Sequence, residues 1–541
     1  MIRSDFQIIK EIIASQNFEI NFKKNWQKIL GKRVKEEAKN LQASFQIGGN
    51  KMKIAMVNWG WPPKQSGGPV GYAADLCKEL VKNGHQVFMF YRGDSNFKGK
   101  CYLEYHEDEK VHLANLVNSP NQFSNFGLPL NECKQPLVEH FFEEFLDKVK
   151  PDLVHFHSLS GLSGSLIEAA KNRGVATVVS IHNYWFICPR GDFLIPPDYS
   201  LCPGPDSGLN CALCVPPSEK TWKRKISSAK NILKAKLKKN VWLKRKLQKV
   251  ILNTNKLKNR LISSQNEGSN TPFLASPPDP LMVWGYKFRQ EYLREQLSKN
   301  TDLIIAVSNS VKNIFVQNGI PENKIMVLHS GIKAAEKLEA FAEKNDVEPR
   351  NPLIFGFFGP VQPYKGVHIL VEAFNKLSPG SARLLIFGTG PSSYYQRLMS
   401  KANSFVEFRG AFDDLSRMLS EFDVAVVPPI WQDNAPLVIL EALSAKKPII
   451  GANIGGIPDF VQDGINGFLF ESRNSSELAK KMKRLIGSPD LVEIFKRNIK
   501  KQKTMKEHAK EMEEIYQNLL SEGILLKEDK IKGKLSFSQI K

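Results

Sequence analysis

Two acidic residues flank the start of a predicted helix late in the chain. Asp433 follows the apolar strand that ends near Pro428, and Glu441 lies eight positions later, on the second turn of a helix expected to begin near Pro436. A helix start offers unpaired backbone N–H groups and the positive end of the helix dipole, both of which suit a phosphate. Because carboxylates repel phosphate, we expect the two acids to bind sugar hydroxyls beside it.

Glycine-containing loops follow several other predicted strands. The loop at 359–366 contains Lys365, the natural ligand for a phosphate, and Gly388 follows the next strand. Gly67 and Gly68 stand where a strand becomes a helix, and their missing side chains would let a diphosphate approach the backbone. A surface lysine and a plain tight turn are the structural alternatives.

Three histidines lie near the ends of two neighbouring strands. His155 and His157 flank the end of a strand at 152–156, and His182 ends the strand at 176–181. Side chains at strand ends turn toward a ligand cleft, and alternation sends the first two the same way. We favour a functional role for His157, and for the other two we favour buried structural histidines.

The elements that must position these residues alternate between strand and helix. One series runs through 53–328 and a second begins at 353, which predicts two parallel α/β sheets whose strand ends face a common cleft. We expect an extension at 1–51, a first domain at 52–330 with an insertion at about 188–285, a second domain at 331–505, and a helix with a basic tail at 506–541.

These motifs together resemble glycosyltransferase family four, a retaining family with the GT-B fold of two Rossmann-like domains. The resemblance rests on the spacing of Asp433 and Glu441, the Leu-Glu-Ala context at 440–442, and the Gly-Gly-Ile-Pro-Asp turn at 455–459. It implies that Glu441 binds the ribose of a nucleotide-sugar donor, that Asp433 binds the donor's sugar, and that His157 lies near the transferred sugar.

The resemblance also implies an activity and its site. A nucleotide-diphosphate sugar would be the donor, bound by the second domain, and a glycan or lipid-linked acceptor in polysaccharide or glycolipid synthesis would be bound by the first. Transfer would retain configuration without a metal, and we find no Asp-x-Asp motif of the metal-dependent fold. Pro360 replaces an arginine usual in the family. The catalytic residues would be His157, Asp433 and Lys365, and the donor-binding residues Gly67, Gly68, Lys365, Gly388, Asp433, Asn434, Ala435, Pro436, Leu437 and Glu441. The alternatives are a non-catalytic sugar-nucleotide-binding scaffold and a GT-B epimerase.

Four cysteines occur close together in the insertion, at Cys188, Cys202, Cys211 and Cys214. The segment has little apolar periodicity, so a staple would replace a core. Four thiolates with a closing C-x2-C suit structural zinc, with an iron–sulfur cluster or unligated thiols as alternatives. Four thiolates leave no open position, so such a zinc would not be catalytic.

Positive charge is concentrated in one segment. The 541-residue chain has a net charge of +21, and residues 221–260 contribute fifteen Lys or Arg and no acid. This segment predicts either contact with an anionic membrane surface or a solvated helical hairpin, and it has no nucleic-acid-binding motif beyond its charge. Without a signal peptide or an apolar span, we expect a cytoplasmic protein, peripheral to the inner face of the membrane if the segment binds lipid.

Overall fold

The computed structural model describes residues 51–96, 99–121, 128–196, 198–215, 278–345 and 348–537, with 522–537 described by backbone alone. The basic segment at 221–260 lies outside the described residues, as does almost all of the extension at 1–51. Chain contacts divide the protein into residues 1–52 and residues 53–541, and every element named below lies in the second unit.

The first domain is built on an eight-stranded sheet in the order β10-β9-β6-β5-β1-β2-β4-β3. All neighbouring strands are parallel except β3 and β4. The central strands β1, β5 and β6 are buried along almost their whole length, as expected of a parallel sheet with helices on both faces. The strands are β1 (Lys53–Asn58), β2 (Gln86–Arg92), β3 (Tyr102–Asp108), β4 (Val111–Val117), β5 (Leu153–Phe156), β6 (Ala176–Ile181), β9 (Leu303–Ala306) and β10 (Ile325–Val327), with a separate hairpin of β7 (Leu194–Ile195) and β8 (Ser200–Leu201).

The second domain is built on a six-stranded, fully parallel sheet in the order β13-β12-β11-β14-β15-β16. Its buried residues form a hydrophobic core separate from that of the first sheet. The strands are β11 (Leu353–Phe358), β12 (Ala382–Phe387), β13 (Val406–Gly410), β14 (Val424–Val427), β15 (Ile449–Ala452) and β16 (Gly467–Phe470).

Helices connect the strands and cover the sheets. In the first domain they are α1 (Gly68–Lys82), α2 (Pro129–Cys133), α3 (Pro136–Val149), α4 (Ser165–Asn172), α5 (Leu209–Cys214), α6 (Pro280–Glu295) and α7 (Asn309–Gln317). In the second domain they are α8 (Ala335–Lys344), α9 (Val367–Phe374), α10 (Ser392–Lys401), α11 (Leu415–Ser420), α12 (Leu437–Ser444), α13 (Ser475–Gly487) and α14 (Asp490–Asn498), followed by α15 (Met505–Phe537).

The chain crosses between the two domains twice, and the two crossings pair with each other. The Ile332 N–H donates to the Lys503 carbonyl at 3.1 Å, and the Met505 N–H donates to the Ile332 carbonyl at 3.1 Å. The second crossing leads into α15, which packs against α1 of the first domain. Helix α15 therefore returns to the first domain.

The structure departs from the predicted elements in two places. Strands β3 and β4 form an antiparallel pair at the sheet edge that the pattern did not predict, because edge strand β3 is largely exposed and polar. The predicted insertion at about 188–285 ends within α6, whose buried Arg289 pairs with Glu132 and donates to the Trp185 carbonyl at 2.6 Å. The end of the insertion is thus anchored to the first domain.

Among the described residues, no helix combines the length and the apolarity needed to cross a bilayer.

Candidate active site

The strand ends of the second sheet place the two predicted acids around the start of α12. Strand β14 ends at Val427, the loop that follows carries Asp433, and α12 begins at Leu437 with Glu441 on its second turn. Within the described ranges no side chain caps the start of α12. The Ile439 N–H donates to the Pro436 carbonyl at 3.0 Å, and the helix start before it stays open to another acceptor. The predicted order of strand, loop and helix is confirmed.

Lys365 and Asp433 are brought together from different loops. The Lys365 ammonium nitrogen lies 2.6 Å from Asp433 Oδ2, and the Asp433 side chain is 8% exposed. The rings of Trp431 and Tyr364 flank the same ammonium, with centroids 5.5 and 5.9 Å away. The predicted phosphate ligand and the predicted sugar ligand therefore meet at one point of the cleft.

Glycines allow these loops to approach one another closely. Gly366 has φ 70°, and a β-carbon there would overlap the Pro428 carbonyl. Gly455 has φ 60°, and a β-carbon there would overlap the Asp433 backbone. Gly388 packs in the same way against the Gly359 carbonyl. These loops form the carboxyl-end edge of the sheet, where α/β folds bind ligands.

Glu441 has an unusual environment for a carboxyl group. Burial alone raises its pKa from the ordinary 4.5 to about 7. A group held in this way accepts hydroxyl hydrogen bonds strongly once ionised, because little water competes with them.

Two side chains beside Asp433 have buried polar atoms without a hydrogen-bond partner among the described residues. Asn434 is 4% exposed, and neither its Nδ2 nor its Oδ1 has a hydrogen bond. The Trp431 indole N–H is also buried and unpaired. Buried polar groups are nearly always paired in folded proteins, so unpaired ones in a cleft mark a place where a ligand completes the bonding. Asn434 belongs to the predicted donor-binding set, whereas Trp431 belongs to no motif and was not predicted.

The glycine pair of the first domain faces α12 directly. Gly67 precedes α1 with φ 145°, and a β-carbon at Gly68 would lie 4.0 Å from Leu437 Cδ1. The helix starts of α1 and α12 thus oppose each other across the cleft. The remaining residues of the predicted set, Ala435 and Pro436, complete the loop that leads into α12.

The three histidines lie together but differ in access. His155 and His157 are 0% and 3% exposed, with ring centroids 4.0 Å apart, whereas His182 is partly exposed. His157 Nδ1 lies 3.2 Å from His182 Nε2. Burial lowers the pKa of all three, that of His182 to about 4, so the imidazoles are neutral at pH 7. His155 and His157 lie on the same side of their strand, as the alternation predicts. The structure buries His157, however, and leaves His182 more exposed than His157.

The four cysteines of the insertion approach one another without forming a metal cage. Burial, followed by repulsion from Cys188, Cys202 and Cys214, raises the pKa of Cys211 to about 12. All four thiols are free, and within the described ranges no group of three or more potential ligands is arranged to hold a metal ion. The zinc prediction therefore gains no support from the structure. The prediction also assumed that this segment lacks a core, and that assumption was wrong, since α5 packs on α6 with a small core of its own.

The Gly-Gly-Ile-Pro-Asp turn has a role that its motif did not indicate. Asp459 Oδ2 accepts from the Asn309 backbone N–H at 2.7 Å and lies 3.0 Å from His329 Nε2. Asn309 begins α7 of the first domain, so this turn joins the two domains beside the cleft. Such a contact depends on how the domains pack, and local sequence cannot reveal it.

Comparisons with known proteins agree with this architecture. The profile of the family described as Glycosyltransferase Family 4 matches residues 66–267, and that of the family described as Glycosyl transferases group 1 matches residues 352–488. Together the two profiles cover the Gly-Gly loop, the histidines, Lys365, Asp433 and Glu441.

Two relatives with similar sequences are glycosyltransferases by name. An uncharacterized glycosyltransferase of Methanocaldococcus jannaschii is 28% identical over 41% of this chain and 57% of its own length. The capsular polysaccharide biosynthesis glycosyltransferase CapM of Staphylococcus aureus is 29% identical over 44% of this chain and 68% of its own. The chain thus matches about three fifths of the length of these relatives.

The crystal structure of Anabaena HepE in complex with UDP and glucose superimposes with a TM-score of 0.52 at 16% identity, covering 86% of this chain and 99% of HepE. At this identity the likeness shows the fold alone, which is GT-B, with two Rossmann-like domains. The matching profiles and the arrangement of the site place the chain in glycosyltransferase family 4, the group 1 glycosyl transferases.

Proposed function

We propose that this protein transfers a sugar from a nucleotide-diphosphate sugar to a glycan or lipid-linked acceptor in polysaccharide or glycolipid synthesis. One observation carries the proposal. Lys365, Asp433, the unpaired Asn434 and the uncapped start of α12 converge on one point, directly opposite the Gly67–Gly68 loop. A sugar diphosphate requires a cation and free N–H groups for its phosphates, side chains that bind its hydroxyls, and a backbone that can approach it closely.

Each group has a distinct task in this proposal. The Lys365 ammonium and the first N–H groups of α12 hold the diphosphate, and the Gly67–Gly68 backbone approaches it from the first domain. Glu441 accepts hydrogen bonds from the ribose hydroxyls, while Asp433 and Asn434 bind the hydroxyls of the sugar. Because Asp433 is already paired with Lys365, donor binding would orient the sugar and the phosphate together.

The chemical step follows from this placement. The bond between the anomeric carbon and the phosphate oxygen breaks, a bond to the acceptor oxygen forms on the same face, and the acceptor proton passes to the departing phosphate. Lys365 and the α12 dipole stabilise the negative charge that develops on the leaving diphosphate. The step retains the anomeric configuration and is proposed to need no metal. The family resemblance supports both features.

The donor can be identified by incubating the protein with a panel of nucleotide-diphosphate sugars. UDP-glucose is tested first, because HepE was crystallised with UDP and with UDP-glucose. We expect one donor to release its nucleotide diphosphate, faster when membrane extract supplies acceptors. Addition of EDTA tests metal independence, and NMR of the product's anomeric proton tests retention.

A matched pair of variants makes the assay specific. Asp433→Asn removes the charge beside the sugar and should abolish release, whereas Glu343→Gln removes an exposed charge on α8 and should leave it unchanged. Tight donor binding without turnover in the wild-type protein would instead favour the scaffold, which the proline at 360 makes worth testing. Conversion of the donor to an epimer would favour the epimerase.

The remaining proposals have direct tests of their own. Elemental analysis of wild-type protein and of Cys211→Ser measures whether the cysteines take up zinc, and equal metal content in both would end that hypothesis. Binding to vesicles with and without anionic lipid, repeated after deletion of 221–260, measures whether the basic segment brings the protein to a membrane surface.

A further inference from the structure

The histidines of the first domain belong to a buried cluster that the last helix of the chain completes. We call it the ring cluster. Its members are Tyr72, His155, His157 and His182 from the first domain and His508 and Tyr516 from α15. Five of the six are between 0% and 6% exposed, and His182 is the one partly open member. Such a concentration of buried polar rings is unusual, since buried polar groups are costly unless paired.

Two hydrogen bonds join α15 to the first domain inside this cluster. The Tyr72 hydroxyl lies 2.6 Å from His508 Nε2, and the Tyr516 hydroxyl lies 2.6 Å from His155 Nδ1. His155 Nε2 in turn lies 2.8 Å from the Ser180 hydroxyl. The partners in the first two bonds are 436 and 361 residues apart in sequence.

The members of the ring cluster are uncharged, so neutral hydrogen bonds join them. Burial lowers the pKa of His155, and that of His508 to about 3, and it raises the pKa of both tyrosines, so every ring is neutral at pH 7. A neutral imidazole donates from one ring nitrogen and accepts at the other, so His155 donates one of its two hydrogen bonds, to Tyr516 or to Ser180, and accepts the other. The Tyr72 hydroxyl and His508 Nε2 likewise share one hydrogen bond, in which the His508 tautomer decides the donor.

The side chains that α15 holds are those that pack around His157. The His155 ring is 4.0 Å from the His157 ring, and the Tyr72 ring is 5.7 Å from it. The Tyr72 ring is also 4.8 Å from the ring of His182, which is the member open to solvent. His157 and His182 therefore take their positions from two neighbours that are each tied to α15.

Simple helix docking does not explain these bonds. Helix α15 already buries Ala509 and Met512 for packing, and Glu513 accepts from the Asn83 amide, directly after α1, at 3.0 Å. Placing His508 and Tyr516 in the interior as well adds directional bonds, which constrain orientation more than apolar contacts do.

We propose that His508 and Tyr516 are positioning residues for sugar transfer, and that through Tyr72 and His155 they hold His157 and His182 at the cleft. The inference rests on the proposed function and adds to it a part of the site supplied by the C-terminal helix. His508 and Tyr516 make side-chain hydrogen bonds and ring contacts with Tyr72 and His155 of the first domain, so their loss should affect turnover rather than donor binding.

The test compares Tyr516→Phe and His508→Ala with Glu513→Gln, a control on the same helix. With the donor identified by the panel, we expect kcat to fall by about 10- to 100-fold in the first two, as small misplacements in active sites do, with the donor KM changed less than about threefold. His508→Gln keeps an amide that can donate to or accept from the Tyr72 hydroxyl, and it should recover most of the lost kcat. The control should behave like wild type.

Several outcomes would overturn the proposal. Unchanged kcat in folded Tyr516→Phe and His508→Ala, or a raised KM with unchanged kcat, would show that α15 serves stability alone. If wild-type protein turns over no donor, the proposed function fails. The crystal structure of Tyr516→Phe then decides this inference independently, since His155 and His157 rings that stay in place would refute it and rings displaced by about 1 Å would support it.

Discussion

Replacing Glu441 with glutamine should weaken donor binding and yet stabilise the unliganded protein at alkaline pH. The carboxyl pKa is raised from 4.5 to about 7 by burial alone. One pKa unit corresponds to about 1.4 kcal/mol, so keeping this carboxylate ionised in the fold costs about 3 kcal/mol. Glutamine has nearly the same shape and carries no such cost.

The sign of the pH effect follows from proton binding. A carboxyl with a higher pKa in the folded than in the unfolded chain binds more protons when folded, so its stabilising contribution is present below pH 4.5 and is lost as the pH rises through about 7. Between pH 5 and 8, wild-type protein should therefore lose up to about 3 kcal/mol relative to Glu441→Gln. Donor affinity should fall by about 10- to 100-fold, since hydrogen bonds to a charged group contribute about 1.5–3 kcal/mol.

Hydrogen exchange is the suitable assay, because the two domains need not unfold together. Amide protection in β14 and α12 reports the stability of the second domain, measured at pH 5.5 and 8.0 after correction for intrinsic exchange. Glu343→Gln, which changes an exposed acid on α8, is the control for the loss of one charge. A stability difference between wild type and Glu441→Gln that does not change with pH, or an unchanged affinity for the donor, would refute the reasoning.

Three further substitutions test other parts of the structure. Lys365→Met should lower the free energy of unfolding by about 3 kcal/mol, because it leaves the buried Asp433 carboxylate unpaired. Adding Asp433→Asn should restore most of the lost stability without restoring donor binding. If urea denaturation shows that the stability losses of the two substitutions simply add, this prediction is contradicted. Gly366→Ala should cost more than about 2 kcal/mol, because a β-carbon there combines positive φ with backbone overlap, whereas Gly487→Ala, in open space, should lie within about 0.5 kcal/mol of wild type in thermal unfolding. Arg289→Met should cost about 3–5 kcal/mol by stripping a fully buried acid of its cation, and a smaller loss would mean that water reaches that site.

Local patterns were sufficient for the fold class and for much of the site. Strand and helix periodicities depend on neighbours within about ten residues, so the two βα series, the Gly67–Gly68 turn and the start of α12 after Asp433 could be read from the chain directly. The spacing of Asp433 and Glu441 is likewise local, because both lie within one loop and the helix that follows it. The sheet-edge hairpin of β3 and β4 was missed because the exposed β3 has little apolar pattern.

The features of the site that could not be predicted from the sequence depend on contacts between residues far apart in the chain. The pairing of Lys365 with Asp433 joins positions 68 apart, and the hydrogen bonds of Tyr72 and His155 beside His157 are made with residues of α15 that lie 436 and 361 residues further along the chain. The same limit explains the cysteines, whose spacing suits zinc although the folded insertion does not arrange them as a cage. The sequence by itself determined which chemical groups stand at the strand ends, because that order is local; only tertiary packing decided which of them meet, which are buried, and how burial alters the pKa of Glu441 and the histidines.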